Sequence, residues 1–439
     1  TIGITVVGYQ PNNSWVDHYE IATSNAADVD GPGAWPQFHH DPQLTGNADA
    51  PLVTPFSAYS RIAGATPDAT AAAELEHQFD FAAGSCPGSA STRPVLLATD
   101  GAYPDALVSA PLARSLATGT LLTAPTVLSA PTRAALAKEG ITHVTVVGGP
   151  SAVSATVVKQ LQAMPATTCG GRTRTGVDIS VTRIDGTTMY ETAAQVAAAA
   201  AADSGGVGGL DLAGAYAGTN AARGRGRFND TAGTASGAAP GGTLATAVLA
   251  TGAAFPDAEA ASTLAYAERL PILLTTSAAL PGATASAISS LHVAQVVVMG
   301  GPLAVSDSVV AAIEHLGVSV LRVAGQDATD TAVELARLET SPVGTGAGWH
   351  GTGDLTVAQG AYFTDGLTGA VVAGDGPAAS GPEPLVLTES PTTVGAPLTA
   401  FLHQAGSAGL GGTRVASFTI LGGALAITPQ VVEQMGHDL

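Results

Sequence analysis

Hydrophobic positions in this chain fall into short unbroken runs more often than into alternating or long helical patterns. Val95 to Ala98, Gly119 to Thr123 and Val144 to Val147 are bounded by turn residues, and runs of this kind predict strands buried on both faces. Helical punctuation lies between them. Ser129-Ala-Pro131 leads into Thr-Arg-Ala-Ala-Leu-Ala-Lys-Glu-Gly140, which places Pro in a first turn and Gly at the end and so predicts a capped helix. Strand and helix alternate in this way along most of the chain. The fold class expected is therefore α/β, with mostly parallel sheets flanked by helices.

The same pattern recurs three times. An apolar strand ending in Gly-Gly appears as Val144-Thr-Val-Val-Gly148-Gly149-Pro-Ser-Ala-Val-Ser154, as Val296-Val-Val-Met-Gly300-Gly301-Pro-Leu-Ala-Val-Ser306, and as Phe418-Thr-Ile-Leu-Gly422-Gly423-Ala-Leu-Ala-Ile-Thr428. A strand, short turn and Asp recur at Asp105, Asp257 and Asp365. Leu-Leu-Thr123, Leu-Leu-Thr275 and Val-Leu-Thr388 form a third set. A fourth opens each copy: Arg61-Ile-Ala-Gly64, Arg183-Ile-Asp-Gly186 and Arg322-Val-Ala-Gly325, followed nine residues after the Arg by Thr70, Thr192 and Thr331. Fixed spacing at four motifs identifies tandem repeats, expected at 59–175, 176–317 and 318–439 after an irregular N-terminal extension, 1–58. Repeat 2 carries a Gly-rich insertion at about 204–243, read as an ordered excursion or a mobile loop. Repeat 3 is lengthened around 376–382 and 411–413.

Composition narrows the function. The 439 residues carry 16 basic and 35 acidic side chains, a formal charge of −19, which argues against nucleic acid as a partner. The Ala-rich stretch 196–202 is far short of a membrane span. The first residues show neither a basic region nor a long apolar run, as expected of a mature secreted form or of a cytosolic protein. Cys86 and Cys169 lie in loop-like sequence and are a possible disulfide, with two unpaired thiols as the alternative.

The order Arg-x-x-Gly, Thr-Ala, Pro-Asp-Ala, Leu-Leu-Thr, Gly-Gly-x-x-Ala-Val-Ser resembles the cell-wall-binding type 2 repeat of bacterial surface proteins, over about residues 59–439. The resemblance implies three α/β units about a pseudo-threefold axis. It also implies a secreted, non-catalytic protein at the cell wall or cell surface, holding an anionic wall polysaccharide or secondary wall polymer and needing no cofactor. One departure stands out. Where the family commonly follows the first motif with an Asp-Arg-Tyr-like triplet, this chain has Thr66-Pro67-Asp68, Thr188-Met189-Tyr190 and Asp327-Ala328-Thr329, so the second Arg is missing in every copy. A guanidinium suits bidentate binding of phosphate or carboxylate, so its loss weakens the anionic-polymer expectation more than the fold.

Candidate polymer contacts are Arg61, Arg183 and Arg322, with Asp105, Asp257 and Asp365 and the glycine pairs Gly148/Gly149, Gly300/Gly301 and Gly422/Gly423. Gly-Gly before a helix can offer backbone N–H groups to an anion, or can simply permit a tight turn. The aspartates follow strand ends and either cap helices, bond between repeats or touch ligand. A salt bridge between these Arg and Asp sets is a further alternative. Ser154, Ser306 and Thr428 read as N-caps. The N-terminal extension holds Trp15, Trp35 and the cluster Phe38-His39-His40-Asp41 with Asp17-His18 upstream, a weak metal pattern set aside in favour of aromatic packing. No nucleophile elbow, phosphate loop or zinc-protease helix is present. An enzyme would require Asp257 to share a deep pocket with His292 or His350. The competing function is a self-assembling subunit of a surface layer or filament, with the β-prone run 1–7 adding a strand to a neighbour and so making a homo-oligomer.

Overall fold

The computed structural model describes residues 2–10, 13–21, 58–81, 93–168, 173–216, 225–227, 242–253, 256–350, 353–361, 365–376 and 381–439. Cys86, Cys169, Trp35 and the 38–41 cluster lie outside the described residues. Contacts divide the chain into Thr1–Ser57 and Ala58–Leu439. In the first unit, expected to be irregular, the strands Ile2–Gln10 and Asn13–Ile21 instead form an antiparallel hairpin, so the β-prone opening run already has a partner within the chain.

The second unit holds three all-parallel four-stranded cores. Thr120–Thr123, Pro94–Thr99, His143–Val147 and Ser180–Ile184 neighbour one another in that order in the first. Ile272–Thr275, Leu244–Thr251, Gln295–Met299 and Ser319–Val323 repeat the order in the second. Leu385–Thr388, Asp354–Gln359, Ser417–Leu421 and Tyr59–Ile62 repeat it in the third. The first three strands of each core as ordered above are largely buried on both faces, as in the uniformly buried Ile272–Thr275, which is why they read as continuous apolar runs, whereas the edge strands Tyr59–Ile62 and Ser180–Ile184 are mostly exposed or half-buried.

Sequence repeat and sheet are out of phase by one strand. The strand bearing Arg183 completes the sheet of repeat 1, and the strand bearing Arg322 completes that of repeat 2. The strand bearing Arg61, at the start of the unit, completes the sheet of repeat 3. This cyclic hand-over gives the pseudo-threefold arrangement. Within the Gly-rich insertion Gly209–Leu210 pairs antiparallel with Leu244–Thr251, and Arg225–Arg227 extends the second sheet beyond Ser319–Val323.

One large core contains residues from all three repeats, including Leu107 and Leu112, Leu264 and Tyr266, and Leu367 and Val371. These lie in or beside the helices Ala110–Ser115, Pro256–Glu268 and Ala370–Asp375, which pack on one another. Ala110, Ala113, Ala261, Ala265, Ala370 and Ala373 are buried there, and side chains this small let the helix backbones approach closely. Separate clusters fill the outer layers of repeats 1 and 2. Among the described residues no helix is long and apolar enough to cross a membrane.

Candidate functional site

The recurring motifs converge at the carboxyl ends of the strands. In every sheet the Arg stands in the same register, opposite Val146, Val298 or Ile420. Its guanidinium is spent on backbone. Arg61 donates to the carbonyls of Gly422 at 2.7 Å and Ile427 at 3.0 Å. Arg183 donates to Gly148 and, at 2.7 Å, to Val153. Arg322, 4% exposed, donates to Gly300 at 2.7 Å and pairs with Asp307 at 3.4 Å. Each Arg therefore latches the turn that follows the neighbouring strand, using carbonyls that would otherwise be unsatisfied.

The aspartates sit against the same turns, between the second and third strands of each core as ordered above, which is where order reverses in a doubly wound sheet and ligands usually bind. Gly148, Gly300 and Gly422 have φ of +105°, +87° and +94°, and a Cβ at any of them would overlap Oδ2 of Asp105, Asp257 or Asp365. The first glycine of each pair is thus required by backbone conformation and by the carboxylate. The second is not. Nothing lies within 4 Å of a Cβ built on Gly301, and only one atom each, at 3.8 and 3.9 Å, on Gly149 and Gly423. The helices begin later, at Ala155, Asp307 and Pro429, so the glycine pairs lie upstream of the helix N-termini.

Of the roles open to the aspartates, bonding between repeats is the one seen. Asp257 accepts from the Thr331 hydroxyl and Asp365 from that of Thr70, while Asp105 faces Arg183. The threonine of each opening motif also accepts from that motif's glycine N–H: Gly64 to Thr70 at 3.1 Å, Gly186 to Thr192 at 3.0 Å and Gly325 to Thr331 at 3.1 Å. Burial pushes all three carboxyls up. For Asp105 the value rises to about 6, with Arg183 pulling it down and Asp185 pushing it up. Ser154 caps its helix through Val157 N–H, whereas Ser306 and Thr428 occupy the cap position without that side-chain bond.

The crevice between repeats 1 and 2 opens into a groove of about 500 Å³ lined by Gly149, Ser151, Asp185, Thr187, Glu191 and Gln195. Its charged groups are carboxylates, and Glu191 is occupied by the Thr187 N–H at 2.6 Å. The wall offers hydroxyls, an amide and turn backbone, a surface suited to hydrogen-bonding ligands more than to bare anions. His292 and His350 are exposed near the strand-starting edge, opposite Asp257. Among the described residues no group of three or more His, Cys, Asp or Glu is arranged to hold a metal ion.

Sequence reasoning missed two sets of residues. Glu74, Glu259 and Glu339 are fully buried, and burial raises all three well above the ordinary carboxylate range. Arg114, Tyr266 and Asp375 meet at the far edge of the sheets.

Comparison with known proteins places this geometry. N-acetylmuramoyl-L-alanine amidase LytC of Bacillus subtilis (strain 168) is 36% identical over 95 residues, 22% of this chain and 19% of the amidase. Two structures from Clostridium difficile share the fold at 18% identity. Cwp6 has a TM-score of 0.63 over 90% of this chain and 50% of its own, and Cwp8 a TM-score of 0.59 over 87% and 52%. The chain thus spans about half the length of those two structures and about a fifth of the amidase. Cell wall binding domain 2 (CWB2) matches at residues 61–158, 183–310 and 322–432, each segment beginning at one of the turn-latching arginines. These segments cover well over half of the sequence, and the chain belongs to the CWB2 family.

Proposed function

We propose that this chain is a non-catalytic cell-envelope module that binds a secondary wall polymer in the three crevices at the strand ends. The observation that carries the reading is the contrast within each glycine pair: the first glycine is explained by the fold, while the second faces open space where a ligand can approach backbone. The arginines support the site by fixing the turn. Contact falls to turn backbone and to groove residues such as Ser151, Thr187 and Gln195. With a chain charge of −19 and Asp185 and Glu191 in the groove, hydrogen bonding to polymer hydroxyls is favoured over attraction to its anionic groups. Membership of a wall-binding family supports location at the cell wall.

The test is co-sedimentation of the full chain with its host's walls, before and after chemical removal of the secondary polymer. Binding to intact walls that disappears with the polymer is expected. Failure to sediment, or sedimentation indifferent to polymer removal, sinks the reading. Gly149→Val, Gly301→Val and Gly423→Val together should weaken binding without lowering the melting temperature appreciably.

A second reading, assembly into a surface layer or filament, draws on the N-terminal hairpin. Among the described residues its sheet has two strands, each of nine residues. An isolated two-stranded sheet is marginal alone and gains stability by adding strands. Deleting residues 1–57 should then abolish ordered polymers under negative-stain electron microscopy. Polymers that persist, or none from the full chain, refute it.

A further inference from the structure

Where the strands begin, the three repeats bring different side chains to corresponding places. Arg114 and Tyr266 each lie nine residues after their motif aspartate, and Asp375 lies ten after its own. Arg114 pairs with Asp375 Oδ1 at 2.5 Å, and the Tyr266 hydroxyl donates to Asp375 Oδ2 at 3.0 Å. Gln78 Nε2 donates to Asp375 Oδ2 at 3.2 Å and to the Tyr266 oxygen at 3.0 Å. A half-open cavity of about 330 Å³ adjoins this cluster, its wall including His77, Phe79, Val371 and Val372. A second cavity of about 340 Å³ shares His77 and Val372 with it.

We propose that this cavity binds one unit of an uncharged carbohydrate, at a site separate from the strand-end crevices. Charge is the first argument. Arg114 and Asp375 neutralise each other, so the cavity has little net attraction for an ion. Hydrogen-bonding capacity is the second. Both side chains remain about a third exposed, at 34% and 35%, and Arg114 spends donors on Asp375 and on the Tyr266 oxygen, leaving part of its five N–H set for a ligand. Neighbouring sugar hydroxyls donate and accept at once, which matches a guanidinium beside a carboxylate. A purely apolar ligand would desolvate that pair without replacing its water contacts.

Shape is the third. Phe79, held by Arg93 stacked 3.7 Å from its ring centre, and Val371 and Val372 supply apolar surface for the C–H face of a sugar ring. The volume falls at the small end of ordinary ligand sites, roughly 300–1,000 Å³. Repeat 3 makes the close approach possible: a Cβ on Gly374 would come within 2.5 Å of the Tyr266 ring. The inference does not rest on the crevice reading.

The test is saturation-transfer difference NMR on the full chain with methyl β-glucoside, N-acetylglucosamine and methyl α-mannoside, using acetate and inorganic phosphate as charged comparators. At least one sugar should bind, with a Kd of order millimolar, and neither anion should compete. His77→Trp, which fills the mouth from a half-buried position, should weaken that binding about tenfold or more, an increase in Kd worth about 1.4 kcal/mol. Val372→Phe gives a second filling variant should the first melt early. Gln162→Ala, exposed at the end of helix Ala155–Gln162 and outside both the cavity and the crevices, should leave sugar binding unchanged. The proposal is overturned if no sugar binds, if binding survives both filling variants, if Gln162→Ala abolishes it, or if phosphate or acetate displaces the sugar.

Discussion

Replacing Asp105 by Asn should change how stability depends on pH, by an amount that follows from its place in the first crevice. Burial against the Gly148 turn lifts its carboxyl from 3.8 to about 6. A carboxyl raised on folding contributes fully below its unfolded value, and that contribution is lost as pH rises through the folded value. The wild type is therefore progressively penalised between about pH 4 and pH 7. A shift of roughly two units at 1.36 kcal/mol each gives about 3 kcal/mol. The amide of the variant does not titrate and carries no such dependence. Urea unfolding of both chains across pH 4 to 8 should show the difference in stability moving by about 3 kcal/mol in favour of the variant. Any constant loss from the altered hydrogen bonding shifts the curve without changing its slope. Differencing also cancels the other buried acids, Glu74, Glu259 and Glu339, to the extent that they act independently. Parallel profiles, or a difference that moves toward the wild type with rising pH, would falsify this account of the crevice.

Other substitutions examine different parts of the argument. Gly300→Ala should destabilise by about 2–4 kcal/mol in denaturant unfolding, because it combines positive φ with overlap against Asp257, whereas Gly301→Ala should stay within about 0.5 kcal/mol. Leu107→Ala, in the core shared by all repeats, should lose about 2–5 kcal/mol in the same assay. Tyr266→Phe removes the hydroxyl between Gln78 and Asp375 and should lose about 1–2 kcal/mol, seen as a lower melting temperature. Glu259→Gln should raise the melting temperature at pH 8 more than at pH 4, since burial first, and then the nearby Asp365, push the Glu259 carboxyl up.

Much of the fold was legible because parallel strands buried on both faces leave an unmistakable trace. Val95 to Ala98 and Val296 to Met299 need no alternation to be recognised, and Ser129 with Pro131 and Gly140 marks its helix by backbone chemistry alone. Self-comparison gives the period of a repeat but not its phase. A ring of three units can be cut at any strand without changing the motif list, so the pairing of Tyr59–Ile62 with Ser417–Leu421 was hidden. The arginines were recognised as the residues that open each repeat and as candidate polymer contacts, but their shared partners are carbonyls, which no side-chain pattern reports. Arg114, Tyr266 and Asp375 escaped for the opposite reason. A search for sameness cannot find a contact that depends on three equivalent positions being different. The buried glutamates run against the ordinary expectation that Glu lies at the surface.

The hand-over that closes the ring also sets an order of events in time. Two of the sheets are completed by a strand that follows them directly along the chain, so each can form as soon as that strand is available. The third must wait: its last strand is made first, and Ser60 meets Thr419 across a separation of 359 residues. Closing so long a loop is slow relative to local contacts. Until then Tyr59–Ile62 carries unpaired backbone, and the sheet it will complete presents an open edge. A chain paused before residue 417 therefore holds a strand without its neighbour, and in finished chains whose rings have not closed, Tyr59–Ile62 of one copy and Ser417–Leu421 of another have the complementary edges needed to pair with each other.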